Sequence, residues 1–138
     1  MGTHQEPFEF HASLTELGPG LETLHDSVRM LRVAIGRAND DHALMLFETA
    51  LGEIGANVLT HGRPNDDIEV DYILRSDGAA AFASFVDRGP AVADHLARPM
   101  PDQDREAGRG LAIARSVLDE LGYMRQGEVN TWRLVKRL

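Results

Sequence analysis

Glu53, Asn57 and His61 stand four residues apart in the run Glu53-Ile54-Gly55-Ala56-Asn57-Val58-Leu59-Thr60-His61-Gly62. That spacing is close to one helical turn, so on a helix the three side chains stack along one face. A carboxylate there can take a proton, and a carboxamide one turn later offers a neutral oxygen to a hard cation. Leu44, Phe47, Leu51, Ile54 and Val58 form an apolar stripe on the same helix, which makes one side a packing surface and leaves the other for polar chemistry. The solvated face of any amphipathic helix carries such pairs too, so the spacing gains meaning only with further features.

Two glycine clusters supply them. Asp87-Arg88-Gly89-Pro90 follows directly on an apolar run, and Gly108-Arg109-Gly110-Leu111-Ala112-Ile113 runs into what reads as the start of a helix. Backbone amides at a helix start point at phosphate oxygens, and the missing side chains of Gly108 and Gly110 let those oxygens approach.

The elements that must position these residues follow from pattern. Residues 1–7 read as unstructured, and Phe8 to Leu14 alternates as an edge strand. After Gly18-Pro19-Gly20, a helix is expected from Leu21 to Arg37, fraying at Gly36. Asn39-Asp40-Asp41 offers N-cap oxygens for the second helix, which carries the opening stretch and stops at His61-Gly62. Strands over 68–74 and 80–86 flank a Ser76-Asp77-Gly78 turn. The segment 88–109, with three prolines and little periodicity, reads as a mobile lid. A third helix is expected from Gly110 to Leu121, ended by Gly122. A closing hairpin, with strands over Tyr123 to Arg125 and Thr131 to Leu138, then turns at Gly127-Glu128, with Trp132, Leu134 and Leu138 alternating against Arg133 and Arg137.

With 138 residues, 43% of them hydrophobic, the chain fits a single domain with a real core. Its 14 basic against 22 acidic residues give a net charge of −8, which argues against a nucleic-acid backbone as the main partner. The absence of cysteine excludes disulfides and thiolate metal sites. No 18-residue apolar run and no leader pattern is visible, so no membrane contact is expected and the location is read as cytoplasmic.

The order of the motifs is more specific than any one of them. Glu-x-x-x-Asn on a helix, then Asp-x-Gly ending a strand, then Gly-x-Gly-Leu-x-Ile opening a helix resembles the GHKL ATPase superfamily, which binds ATP in a Bergerat fold. Within it, Glu53-x-x-x-Asn57-x-x-x-His61-Gly62 and Gly108-Arg109-Gly110-Leu111-x-Ile113 followed by Asp119-Glu120 are similar to the anti-sigma-factor serine protein kinases of bacterial partner-switching systems. The resemblance runs from about Phe8 to Leu138. It implies an α+β fold, a two-layer sandwich whose mostly antiparallel sheet is covered on one face by about three helices.

The resemblance also implies roles. Glu53 matches the general base that takes a proton from a partner's serine, and Asn57 the Mg²⁺ ligand. Asp87 matches the aspartate that reads the exocyclic amine of adenine, with Gly89 making room for the purine. Gly108, Gly110 and Leu111 match the phosphate-facing segment, and Arg105 or Arg109 is placed to reach the γ-phosphate. His61 matches as well, either as a ligand contact or as a packed histidine closing the helix. The implied partners are a STAS-type anti-sigma-factor antagonist, which presents the serine, and a sigma factor held by a homodimer. Two positions depart from the family pattern. Val129-Asn130 stands where Gly-Thr is usual, which puts Asn130 in place of a threonine that reaches adenine through water; Ala91 replaces the second glycine of the first box. Other readings of the same resemblance are a nucleotide-dependent binding protein without phosphoryl transfer, and a switch kinase acting on a scaffold protein. A sensor histidine kinase module is disfavoured, since no upstream dimerising helix with a phosphoacceptor histidine is visible and a helix-borne carboxylate suits attack by a hydroxyl.

Overall fold

The computed structural model describes residues 7–62, 69–90 and 102–138, with side chains from Gly108 onward in the last stretch. Five strands and three helices are formed among them: β1 (Phe8–Leu14), α1 (Leu17–Ala34), α2 (His42–His61), β2 (Val70–Ser76), β3 (Ala80–Asp87), α3 (Asp102–Val117), β4 (Glu120–Gln126) and β5 (Val129–Arg137). The strands make one antiparallel sheet in the order β1-β2-β3-β5-β4. β1 is an edge strand, as its sequence predicts.

The sheet's two faces differ because alternation along each strand sorts side chains by parity. Val70, Tyr72 and Leu74 of β2, Ala81, Ala83 and Phe85 of β3, and Trp132 and Leu134 of β5 are buried on one face. They join Leu24, Val28 and Leu31 of α1, Leu44, Phe47, Leu51, Ile54 and Val58 of α2, and Ala114 of α3 in one core. Glu9, Ile73, Arg75, Phe82, Ser84 and Arg133 lie on the other face, which none of the described helices covers. The architecture is therefore the α+β two-layer sandwich. Tyr72 stacks on Phe85 with ring centroids 5.2 Å apart. Its hydroxyl lies 2.8 Å from Ser27 Oγ, and since Ser27 donates to Leu24 O, Tyr72 is the donor of that pair.

α2 forms where its caps dictate. Asp41 is the N-cap, its carboxylate accepting from Leu44 N at 3.0 Å, and that hydrogen bond is the main reason its carboxyl is held below the usual range. The five apolar residues of the stripe are all 0–2% exposed, so packing adds to the cap in fixing the helix.

Three boundaries differ from expectation. α1 starts at Leu17, with Pro19 and Gly20 inside its first turn. A proline there removes only an N–H that has no intrahelical partner, so Gly-Pro-Gly is no break. The other end comes at Ala34, short of Arg37, and Gly36, the residue expected to fray, stands at φ 70° and closes α1 with bonds from Gly36 N to Val33 O and from Arg37 N to Arg32 O. α3 begins at Asp102 and ends at Val117, instead of spanning Gly110 to Leu121. The last part of the segment read as a lid is thus helical, while residues 91–101 lie outside the described ones. Acidic Asp102 and Asp104 at the helix start suit its dipole, and Gln103, Arg105, Glu106 and Ala107 are good helix formers. Finally, Gly122 lies within β4, and Leu121, expected inward on a helix, faces the core from that strand.

Candidate functional site

Glu53, Asn57 and His61 are half-buried along one flank of α2, beside the fully buried Ile54 and Val58. α3 packs against α2, and Gly110 marks the closest approach: a Cβ added there would stand 2.5 Å from Glu53 Oε2 and 3.5 Å from its Cδ. The carboxylate thus rests against the glycine of a neighbouring helix. A Cβ added at Gly108 meets nothing within 4 Å. Arg109 is exposed and Leu111 is packed on the core.

These glycines are not at a helix start. Because α3 begins at Asp102, Gly108 and Gly110 lie within the helix, and the turn whose amides lack intrahelical acceptors is Asp102–Arg105. The Arg105 side chain lies outside the described ones.

The other end of α2 carries the second half of the site. Gly62 is the C-cap, its N–H donating to Val58 O at 2.7 Å, and its own carbonyl accepts from Arg88 N at 3.1 Å. The chain leaving β3 is thereby pinned to the end of α2. Gly89 sits so close that an added Cβ would overlap His61 O and lie 2.5 Å from Gly62 Cα. Both neighbours are backbone, so only glycine fits.

This pinning sets Asp87, 3% exposed, beside His61-Gly62. Its Oδ1 accepts from Gly89 N at 2.9 Å and from Asn130 Nδ2 at 2.8 Å, and its Oδ2 accepts from Trp132 Nε1 at 2.9 Å. Strand register brings these groups together, because Asp87 faces Asn130 and Asn130 faces Arg125 across three strands. Asn130, 1% exposed, also donates to the carbonyls of Gly89 (3.0 Å) and Pro90 (3.3 Å). Its Oδ1 accepts from the Tyr123 hydroxyl and from Arg125 Nη1 at 3.0 Å. Arg125 Nη1 reaches Gly89 O as well, at 2.8 Å, and Tyr123 lies tilted on Trp132 with ring centroids 4.8 Å apart.

α2 therefore joins two chemically distinct places. Near its middle, a carboxylate meets a glycine-bearing helix, with a carboxamide one turn further along; at its C-terminus, a buried carboxylate sits in a frame of backbone and side-chain donors. Sequence reading singled out Asp87, Gly89 and Asn130 but not Trp132, Tyr123 and Arg125 as the groups that frame them. The available signal was the alternation of β5, which puts Asn130, Trp132 and Leu134 on one face.

Among the described residues no helix is long and apolar enough to cross a membrane, and no group of three His, Cys, Asp or Glu side chains could hold a metal ion by itself. Asn57 as a single oxygen ligand still suits Mg²⁺, which usually takes only one or two protein ligands and completes its shell with phosphate and water.

No curated protein matches the chain. Residues 21–136, from within α1 to within the last strand, match the family model of the histidine kinase-like ATPase domain. The two-layer sandwich described above is consistent with that match, and the chain belongs to the histidine kinase-like ATPase domain family, an ATP-binding fold of GHKL type.

Proposed function

We propose that this ATPase domain is an anti-sigma factor and serine protein kinase of a partner-switching system, transferring the γ-phosphoryl of ATP to a serine of a STAS-type antagonist. The observation that carries the reading is the approach of Glu53 to Gly110. It supports the reading because Glu53, a carboxylate able to take a proton, rests against Gly110, part of the segment that in this reading faces the triphosphate.

In this reading Asp87 accepts the 6-amino group of adenine, and Gly89 leaves room for the ring. Asn57 supplies an oxygen to Mg²⁺, which when bound neutralises charge on the phosphates. Glu53 takes the proton of the incoming serine hydroxyl as its oxygen attacks the γ-phosphorus; the bond to the bridging oxygen of ADP breaks, leaving phosphoserine and ADP. Arg105 or Arg109 supplies positive charge to the γ-phosphate, and Gly108 and Gly110, which carry no side chain, leave room for the triphosphate, with Leu111 anchoring that stretch to the core. His61 closes the helix at the end where Asp87 stands. A homodimer holding the sigma factor on a face that overlaps the antagonist's completes the switch.

The test is incubation with labelled ATP, Mg²⁺ and a STAS-type protein bearing the serine. Glu53→Ala is expected to keep nucleotide affinity and lower transfer by about 10²–10⁴, the usual worth of a general base. Transfer at the wild-type rate would remove Glu53 from that role. ATP binding without transfer by the wild type would point to a nucleotide-dependent binding protein.

A further inference from the structure

Asn130 fills the place where the family pattern has a threonine that reaches adenine through water, but its hydrogen-bonding groups point elsewhere. A carboxamide offers two N–H donors and one oxygen with two lone pairs. Here Nδ2 faces three acceptors, Asp87 Oδ1, Gly89 O and Pro90 O, while Oδ1 faces two donors, the Tyr123 hydroxyl and Arg125 Nη1. Turning the amide over would set its oxygen against a carboxylate and two carbonyls, so the orientation is fixed by its surroundings. Both ends of the amide are committed within the protein, and the side chain is 1% exposed.

Asp87 is left with little freedom in consequence. Its Oδ1 holds Gly89 N and Asn130 Nδ2, which fills that oxygen, whereas Oδ2 holds Trp132 Nε1 and keeps one further acceptor site. We infer that Asn130 and Trp132 are positioning residues for base selection: they act through Asp87, clamping its carboxylate so that a single acceptor site on Oδ2 is offered to one N–H donor of the base. Arg125 extends the clamp to the edge strand, since its Nη1 binds both Asn130 Oδ1 and Gly89 O. This rests on the reading of Asp87 as the contact for the adenine amine.

The experiment compares two nucleotides, ATP and purine riboside 5′-triphosphate, which lacks only the 6-amino group. Binding of each is measured by calorimetry on the wild type, Asn130→Ala and Trp132→Phe. The wild type is expected to prefer ATP by at least about tenfold, the worth of one hydrogen bond to a charged group. In both variants the ATP affinity should fall about tenfold while that of the analogue changes less than about threefold, so the preference collapses. A general structural defect would weaken both nucleotides alike, and that result overturns the inference, as does an unchanged preference in the variants. A wild type that does not distinguish the two nucleotides overturns instead the assignment of Asp87. Trp132→Phe keeps an aromatic ring against Tyr123, so it serves as the deciding variant if Asn130→Ala fails to fold.

Discussion

The two ends of α2 are built to opposite rules. At its C-terminus every neighbour of the buried carboxylate is fixed: Asp87 takes three donors, Gly89 is wedged against backbone, and Asn130 is committed at both ends. At the middle of the helix, Gly108 borders open space and Gly110 is crowded only by the far end of the Glu53 side chain. A rigid frame suits a group that must recognise one pattern of donors and acceptors. A yielding one suits a place where charge moves and atoms exchange partners.

The largest expected departure from this contrast is Asp87→Ala. It would orphan the Trp132 and Gly89 N–H groups, each costing about 1–3 kcal/mol when buried without a partner, whereas Asn130 keeps the carbonyls of Gly89 and Pro90 as acceptors. We expect a loss of about 3 kcal/mol in unfolding free energy, read by denaturant titration, together with loss of any rise in melting temperature on adding ATP. A variant as stable as the wild type would mean that water can fill the frame and that the end is less rigid than its geometry.

Gly89→Ala comes next, with an expected cost of about 2 kcal/mol, because the new methyl group meets backbone that cannot step aside. Thermal melting would show it as a drop of several degrees. At the other end the sign should reverse. Gly108→Ala adds a methyl group to open space within a helix, and exchanging glycine for alanine there favours the helix by up to about 1 kcal/mol. Gly110→Ala should be near neutral for stability, since Glu53 can swing away, yet it should slow phosphoryl transfer by displacing that carboxylate. Equal destabilisation by all three glycine substitutions would erase the distinction between the ends.

The sequence was most legible where local signals agree with tertiary ones. On α2 the Asp41 cap, the apolar stripe and the glycine at the end all report one helix, and each is satisfied in the structure. At α3 they disagree. Glycines at 108 and 110 and a proline-rich lead-in suggest a late start, whereas the charged stretch from Asp102 has good helix propensity and wins. β4 was half visible for another reason: Tyr123 to Arg125 reads as the first arm of the closing hairpin, but the strand is exposed along most of its length and shows almost no alternation, so nothing local marks its start at Glu120 and Leu121 reads as helix. The Asp87 frame was only half visible because it depends on register. That Asp87 faces Asn130, and Asn130 faces Arg125, is decided by pairing among segments tens of residues apart, which no local pattern encodes.

The bond from Arg88 N to Gly62 O has a geometric consequence. It ties the strand that ends in Asp87 to the terminus of α2, and a helix rises about 1.5 Å per residue, so Glu53 is held roughly 12 Å along the axis from His61. α2 is then a ruler with one end fixed at the Asp87 frame. A ligand anchored at Asp87 brings to Glu53 whatever part of it lies that far away, and a shorter molecule anchored in the same frame falls short of the carboxylate.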